Sequence, residues 1–93
     1  MTQKEAEQQG FLTYDYSNGD WQYTDTNGNY HLFRDGVELT KGVKAKFCWS
    51  HDNGDWDYQD ADGNVHLFRC GMELTKSVEA KQVWSYRSGD WEY

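Results

Sequence analysis

Apolar and polar side chains alternate in short stretches along this chain. In residues 43–49 the odd positions carry Val, Ala, Phe and Trp, while the even positions carry Lys, Lys and Cys. A period of two predicts β-strands, because successive side chains of a strand point to opposite faces. Residues 30–33 are apolar or aromatic on both faces, so we expect them to lie centrally in a sheet or to present one aromatic face. Outside residues 1–10 no helical period is found.

Turn residues separate these stretches. Asp52-Asn53-Gly54 and Asp62-Gly63 place Asn and Gly where a hairpin requires positive φ angles. Three hairpins with the pattern Gly-Asp-Trp-x-Tyr are predicted near residues 11–25, 46–60 and 81–93. Two further hairpins that contain His-Leu-Phe-Arg, at residues 30–41 and 65–76, join them.

The chain also repeats itself. Residues 14–48 and 49–83 are identical at 20 of 35 aligned positions, and residues 84–93 form a partial third copy. Self-similarity at a fixed period indicates a repeat architecture. We therefore predict an all-β fold, an antiparallel meander of tandem 35-residue β-hairpin repeats.

A length of 93 residues suits a single domain. We assign residues 11–93 to one β-repeat domain and residues 1–10 to a polar N-terminal tail, either disordered or a short helical turn. The repeats begin and end part-way through a unit, which predicts incomplete sheet edges at both ends. Repeat units that cannot bury their own faces need neighbours, so we expect a homo-oligomer.

Composition and charge narrow the range of partners. Aromatic residues make up 17% of the chain, and the net charge is −7. Direct nucleic-acid binding depends on clustered Lys and Arg, so it is disfavoured. No apolar run approaches the roughly 18 residues of a membrane span, and residues 1–10 lack the apolar core of a secretion signal. We expect a cytoplasmic protein, located in the host cell if a phage encodes it.

Metal and thiol chemistry receive little support from the sequence. Residues 60–64 resemble the start of a calcium loop but lack the distal Glu, and we interpret them as a turn. His31, His66 and Cys70 could supply zinc ligands, yet a packed role in a strand is the better interpretation. Cys48 and Cys70 are expected to be free thiols, with a disulfide as the alternative. We predict no metal and no cofactor.

No catalytic constellation stands out, because each carboxylate of interest has a counterpart in another copy. We therefore expect a binding protein rather than an enzyme. The repeated aromatic positions form either an internal ladder or a binding surface; they are Trp21, Trp56, Trp91, Tyr23, Tyr58, Tyr93, Trp49 and Trp84. The candidate binding residues are the repeated acidic and aromatic ones: Asp20, Trp21, Tyr23, Asp55, Trp56, Asp57, Tyr58, Asp60, Asp90 and Trp91.

The string Asn-Gly-Asp-Trp-x-Tyr-x-Asp-x-x-Gly-Asn at residues 18–29 resembles two kinds of bacterial hairpin repeat. These are the WG-type repeats and the aromatic repeats of choline- and glucan-binding surface proteins. The resemblance implies a fold of tandem β-hairpins and a role at the cell wall.

Three functions remain open. The leading hypothesis is a non-catalytic interaction module that binds another protein, one with a basic surface, through acidic and aromatic residues. The first alternative is a small acidic phage-type inhibitor that mimics nucleic acid and blocks a host defence nuclease, as anti-CRISPR proteins do. The second is binding of carbohydrate or cell wall in grooves between the repeats.

Overall fold

A computed structural model describes all 93 residues. They form one short helix and ten short strands, joined by turns and loops. The helix is α1 (Gln3–Gln8), and no helix of this chain is long and apolar enough to cross a bilayer. The strands are β1 (Leu12–Asp15), β2 (Trp21–Thr24), β3 (Tyr30–Arg34), β4 (Val37–Glu38), β5 (Phe47–Ser50), β6 (Trp56–Gln59), β7 (Val65–Arg69), β8 (Met72–Glu73), β9 (Trp84–Ser85) and β10 (Trp91–Glu92).

The strands form three antiparallel sheets in which each strand pairs with its neighbour in sequence. Strands β1 to β4 make the first sheet, β5 to β8 the second, and β9 with β10 the third. The predicted all-β antiparallel class is confirmed. The 35-residue repeat itself remains an inference from the sequence.

Two of the hairpins turn on a pair of residues with positive φ. Asp35 and Gly36 link β3 to β4 with φ angles of 51° and 80°, and Cys70 and Gly71 link β7 to β8 with 50° and 79°. Two successive positive φ angles twist a hairpin in the sense that the strands themselves prefer. A side chain at the first position is under strain, which Asp tolerates better than Cys.

The first two sheets stack face to face. One face of the first sheet carries Leu32, which is fully buried against Cys48 and Trp56 of the second sheet. Tyr16, beyond the end of β1, completes this cluster. Burial of these apolar side chains holds the two sheets together.

The opposite face of the first sheet is covered by α1. The side chain of Thr2 caps the backbone N–H of Glu5, and the side chain of Glu5 accepts from the N–H of Thr2 in return. This capping box places Ala6, which is fully buried, against Tyr23 and Phe33. Of the two alternatives for residues 1–10, the structure shows the helical one.

The interior is unusually polar for its size. Of 19 buried residues nine are polar or charged, and every buried side-chain nitrogen or oxygen has a hydrogen-bond partner. Cys48 is a buried free thiol whose pKa is raised to about 12, chiefly by burial, and Cys70 is an exposed free thiol. Because an unpaired buried polar group is costly, the hydrogen bonds between sheets fix their relative position.

Candidate functional site

The carboxylate of Asp20 is buried and forms an ion pair with Arg34, whose side chain is partly exposed. Arg34 donates from Nε to Oδ1 over 3.0 Å and from Nη2 to Oδ2 over 2.8 Å, and the hydroxyl of Ser50 donates to Oδ2 over 2.6 Å. Nη2 of Arg34 also donates to the carbonyl of Gly54 in the next hairpin over 3.0 Å. Only 4% of Asp20 is exposed, so this predicted binding residue lies in the interior. Because Ser50 belongs to β5, its hydrogen bond to Asp20 links the first sheet to the second.

Asp55 makes the same contacts one sheet further along. Arg69 donates to it from Nε and Nη2, and Ser85 donates to Oδ2 over 2.6 Å. Burial raises the pKa of Asp55, but the hydrogen bonds from Arg69 and Ser85 outweigh it and hold the pKa below its ordinary value. Nη2 of Arg69 reaches the carbonyl of Gly89 at 2.7 Å.

Asp90 stands in the same Gly-Asp-Trp setting but is placed differently. It is exposed, and its carboxylate makes no hydrogen bond or ion pair with any residue of the chain. Only its backbone is bonded: its N–H donates to Ser88 and its carbonyl accepts from Tyr86. The adjacent Trp91 is half-buried in β10, which pairs with β9 alone.

The other predicted aromatic residues form stacked ladders. Trp21 stacks on Phe33 at 4.6 Å between ring centroids, and Trp56 stacks on Phe68 at 4.7 Å. Tyr23 and Tyr58 stack on the histidine rings of the neighbouring strands, at 4.5 and 4.8 Å. Trp56 and Tyr23 are buried, whereas Trp21 and Tyr58 are half-buried. These rings are largely engaged in the interior.

Asp57 and Asp60 are also engaged. Asp57 is buried and accepts a 2.7 Å hydrogen bond from Nε2 of His51. Asp60 closes the turn between β6 and β7, where its Oδ1 accepts from the backbone N–H groups of Asp62 and Asn64. Both carboxylates therefore stabilise local structure.

His31 is clamped between two carboxylates. Its Nδ1 lies 2.8 Å from Glu38 and its Nε2 lies 2.8 Å from Asp25, and His66 is held in the same way by Glu73 and Asp60. Because an ionised carboxylate only accepts, both ring nitrogens can donate at once only when the imidazole is protonated, so this arrangement favours the protonated form. Burial lowers the pKa of each histidine, but the hydrogen bonds outweigh it and raise the pKa above its ordinary value.

An open groove crosses the ends of the edge strands β1, β5 and β9. Its volume is about 880 Å³. The aromatic side chains in it are Tyr14, Tyr16, Trp49, Trp84 and Tyr86, and the polar ones include Asp15, Ser17, Asp52, Asn53 and Arg87. Trp49 and Trp84 belong to the repeated aromatic positions that the sequence singles out as a possible binding surface, whereas the other residues of the groove are not predicted. Tyr14 occupies the same position one 35-residue step before Trp49, and this recurrence is the signal that could have identified Tyr14 as well.

Three aromatic side chains of the groove are accessible, whereas Tyr16 is buried and Trp49 is half-buried. Tyr14 and Trp84 are each 49% exposed, and Tyr86 is 43% exposed. Tyr14 and Trp49 lie 6.0 Å apart between ring centroids. His51 meets Trp84 edge-on at 5.1 Å, so it fills the space between the second and third hairpins.

Comparison with known protein families, curated protein sequences and solved structures finds no match to this chain.

Proposed function

We propose that this protein is a non-catalytic interaction module that binds another protein through the exposed corner formed by Asp90 and Trp91. The observation that supports this proposal is the unpaired carboxylate of Asp90. Asp20 and Asp55, in the same sequence motif, each accept hydrogen bonds from Nε and Nη2 of an arginine. An arginine from a partner would give Asp90 the equivalent bonds.

The neighbouring rings favour a particular kind of partner. In the second sheet Phe68 lies opposite Trp56 and His66 lies opposite Tyr58. Trp91 and Tyr93 stack at 5.7 Å, and β10 pairs with β9 alone. An added strand with the pattern His-x-Phe-Arg would cover both rings and bring its arginine to Asp90. Addition of a strand to a sheet edge is a common mode of peptide recognition.

Charge supports the same partner. The chain carries a net charge of −7, so its field attracts basic segments and speeds their approach. Trp and Arg are also the residue types that contribute most to binding energy at protein interfaces. An arginine held by Asp90 beside Trp91 would combine these two contributions.

A synthetic peptide tests the proposal. Residues 63–73 of this chain, with Cys70→Ser to prevent oxidation, contain the required strand and can be titrated into the isotope-labelled protein. We expect chemical-shift changes at Trp91 and Tyr93, and about tenfold weaker binding to the Asp90→Asn variant, since a charged hydrogen-bonded pair is lost.

The matched control is Asp62→Asn, which removes an exposed carboxylate on a turn. This variant should bind the peptide as the parent protein does. A second control is the same peptide with Arg69→Gln, which should bind as weakly to the parent as the original peptide binds to Asp90→Asn. Equal binding by the Asp90 and Asp62 variants, or no shift in β10, contradicts the proposal.

A further inference from the structure

We infer that the groove across β1, β5 and β9 binds a linear carbohydrate chain of neutral pyranose rings. Its lining does not include Asp90 or Trp91, so the inference is independent of the protein contact proposed above. The relevant surface is the set of accessible rings together with the polar side chains at the rim.

The exposed rings provide flat apolar platforms. Tyr14 and Trp84 are large side chains with about half of their surface in water, at opposite ends of the groove, and Trp49 lies between them. The C–H face of a pyranose is flat and weakly apolar, and it gains dispersion contacts when it lies on an aromatic ring. Burying such rings under a sugar removes apolar surface from water.

The arrangement of the rings favours a polymer. Tyr14, Trp49 and Trp84 lie on the three edge strands β1, β5 and β9, so an aromatic ring recurs three times along the groove. A ligand with a repeating unit can place chemically identical rings on successive platforms. Once one sugar ring is bound, the next ring meets its aromatic side chain at a high effective concentration, so each added contact increases the affinity.

The rim suits hydroxyl groups rather than ions. Asp52 accepts a 2.9 Å hydrogen bond from Nη2 of Arg87, so the two charges compensate each other. Asp15 accepts from the side-chain amide of Gln3 over 2.6 Å. These exposed carboxylate and guanidinium groups keep further acceptor and donor positions, which match vicinal hydroxyls.

The groove also has the right size and openness. A volume of about 880 Å³ lies in the usual range of roughly 300–1,000 Å³ for small-ligand sites. It runs across the strands without an enclosing wall, so a chain longer than the groove can pass through both ends. A linear oligosaccharide therefore fits better than a compact ligand.

The experiment uses three neutral probes of defined linkage: cellohexaose, chitohexaose and laminarihexaose. Each is titrated into the whole protein, and binding is followed by tryptophan fluorescence and by chemical shifts. We expect at least one hexaose to shift the resonances of Trp49 and Trp84. The disaccharide of the same series should bind about tenfold more weakly, since it covers fewer platforms.

Two variants and one control locate the site. Trp84→Ala and Tyr14→Ala remove half-exposed rings and should each weaken binding of that hexaose about fivefold or more. Tyr93→Ala removes an exposed ring outside the groove and should leave binding unchanged. Thermal unfolding of all three variants establishes that each is folded before its affinity is compared.

Several results overturn the inference. The first is that none of the three hexaoses changes the fluorescence or the chemical shifts. The second is equal affinity for the disaccharide and the hexaose. The third is loss of binding in Tyr93→Ala but not in Trp84→Ala. Decaproline serves as a peptide probe of the same groove. Shifts at Trp84 with decaproline and none with any sugar would assign the groove to an extended peptide.

Discussion

The guanidinium of Arg34 lies against the carboxylate of Asp20, with Nη2 and Oδ2 2.8 Å apart. The same Nη2 donates to the carbonyl of Gly54, which belongs to the turn between β5 and β6. One side chain of the first sheet therefore neutralises a buried charge and holds the second sheet. Lysine has the charge but lacks the planar fork that makes two parallel bonds.

The first prediction concerns this pair. Arg34→Gln should lower the free energy of unfolding by about 2–3 kcal/mol, because it leaves the buried carboxylate of Asp20 with one partner fewer. Arg34→Lys should recover only part of this loss. Urea unfolding measures both. The control is Arg87→Gln, whose ion pair with Asp52 is exposed and should contribute nothing measurable; a similar loss in the control would contradict the role given to Arg34.

A second prediction is a stability maximum in mildly acidic solution. The pKa of His31 and of His66 is raised above 6.5, so their contribution is complete below pH 6.5 and is lost as the pH rises through the raised pKa. The pKa of Asp25 and of Asp60 is lowered from 3.8 by the histidine hydrogen bonds. Their contribution is present above pH 3.8 and is lost as the pH falls through the lowered pKa. We expect the urea midpoint to be highest between these values.

The variant His31→Gln/His66→Gln isolates the histidine contribution. Glutamine keeps a hydrogen-bonding side chain but does not titrate. The urea midpoint of this variant should change less than that of the parent protein between pH 6 and pH 9. If both proteins lose the same stability over that range, the two histidines are not responsible for the pH dependence.

A third prediction concerns the two thiols. Cys48 is fully buried and its pKa is raised to about 12, whereas Cys70 is exposed. Because the thiolate is the reactive form, iodoacetamide at pH 8 should modify Cys70 in the native protein and leave Cys48 intact. In urea both should react. Peptide mass spectrometry identifies the modified residue, and rapid native labelling of Cys48 would refute its burial.

A fourth prediction concerns the N-terminal helix. Ala6→Glu places a charged side chain against Tyr23 and Phe33, so the free energy of unfolding should fall by about 2 kcal/mol or more. Glu7→Ala, one position further along on the exposed side, should have little effect. Thermal unfolding monitored by circular dichroism compares the two. Equal melting temperatures would show that α1 contributes no packing energy.

The alternation and the turn residues suffice to predict the antiparallel hairpins. Gly54 has a φ of 94° in the turn that the sequence Asp52-Asn53-Gly54 predicts, and β5 and β6 flank it. Local rules succeed here because a hairpin is made of residues that are close in sequence. For residues 1–10 the sequence does not decide between a helical turn and a disordered tail. The stability of the helix depends on the burial of Ala6 against a sheet whose residues are distant in sequence.

The roles of the repeated acidic and aromatic residues could not be predicted in the same way. Asp20 and Asp90 share the motif Gly-Asp-Trp, yet one is buried under Arg34 and the other is exposed. A carboxylate suited to an internal ion pair is equally suited to a partner's arginine. Only the position of each strand within its sheet distinguishes the two cases, and that depends on contacts between residues far apart in sequence.

Asn18 and Asn53 show how strongly adjacent hairpins depend on each other. The amide of Asn18 donates to Ser50 and to the carbonyl of His51, and the amide of Asn53 donates to Ser85 and to the carbonyl of Tyr86. Each hairpin thus completes its hydrogen bonding with atoms of the next one. Nearest-neighbour coupling of this kind makes melting cooperative, so loss of one hairpin exposes unsatisfied groups in the next and the chain should unfold in a single transition.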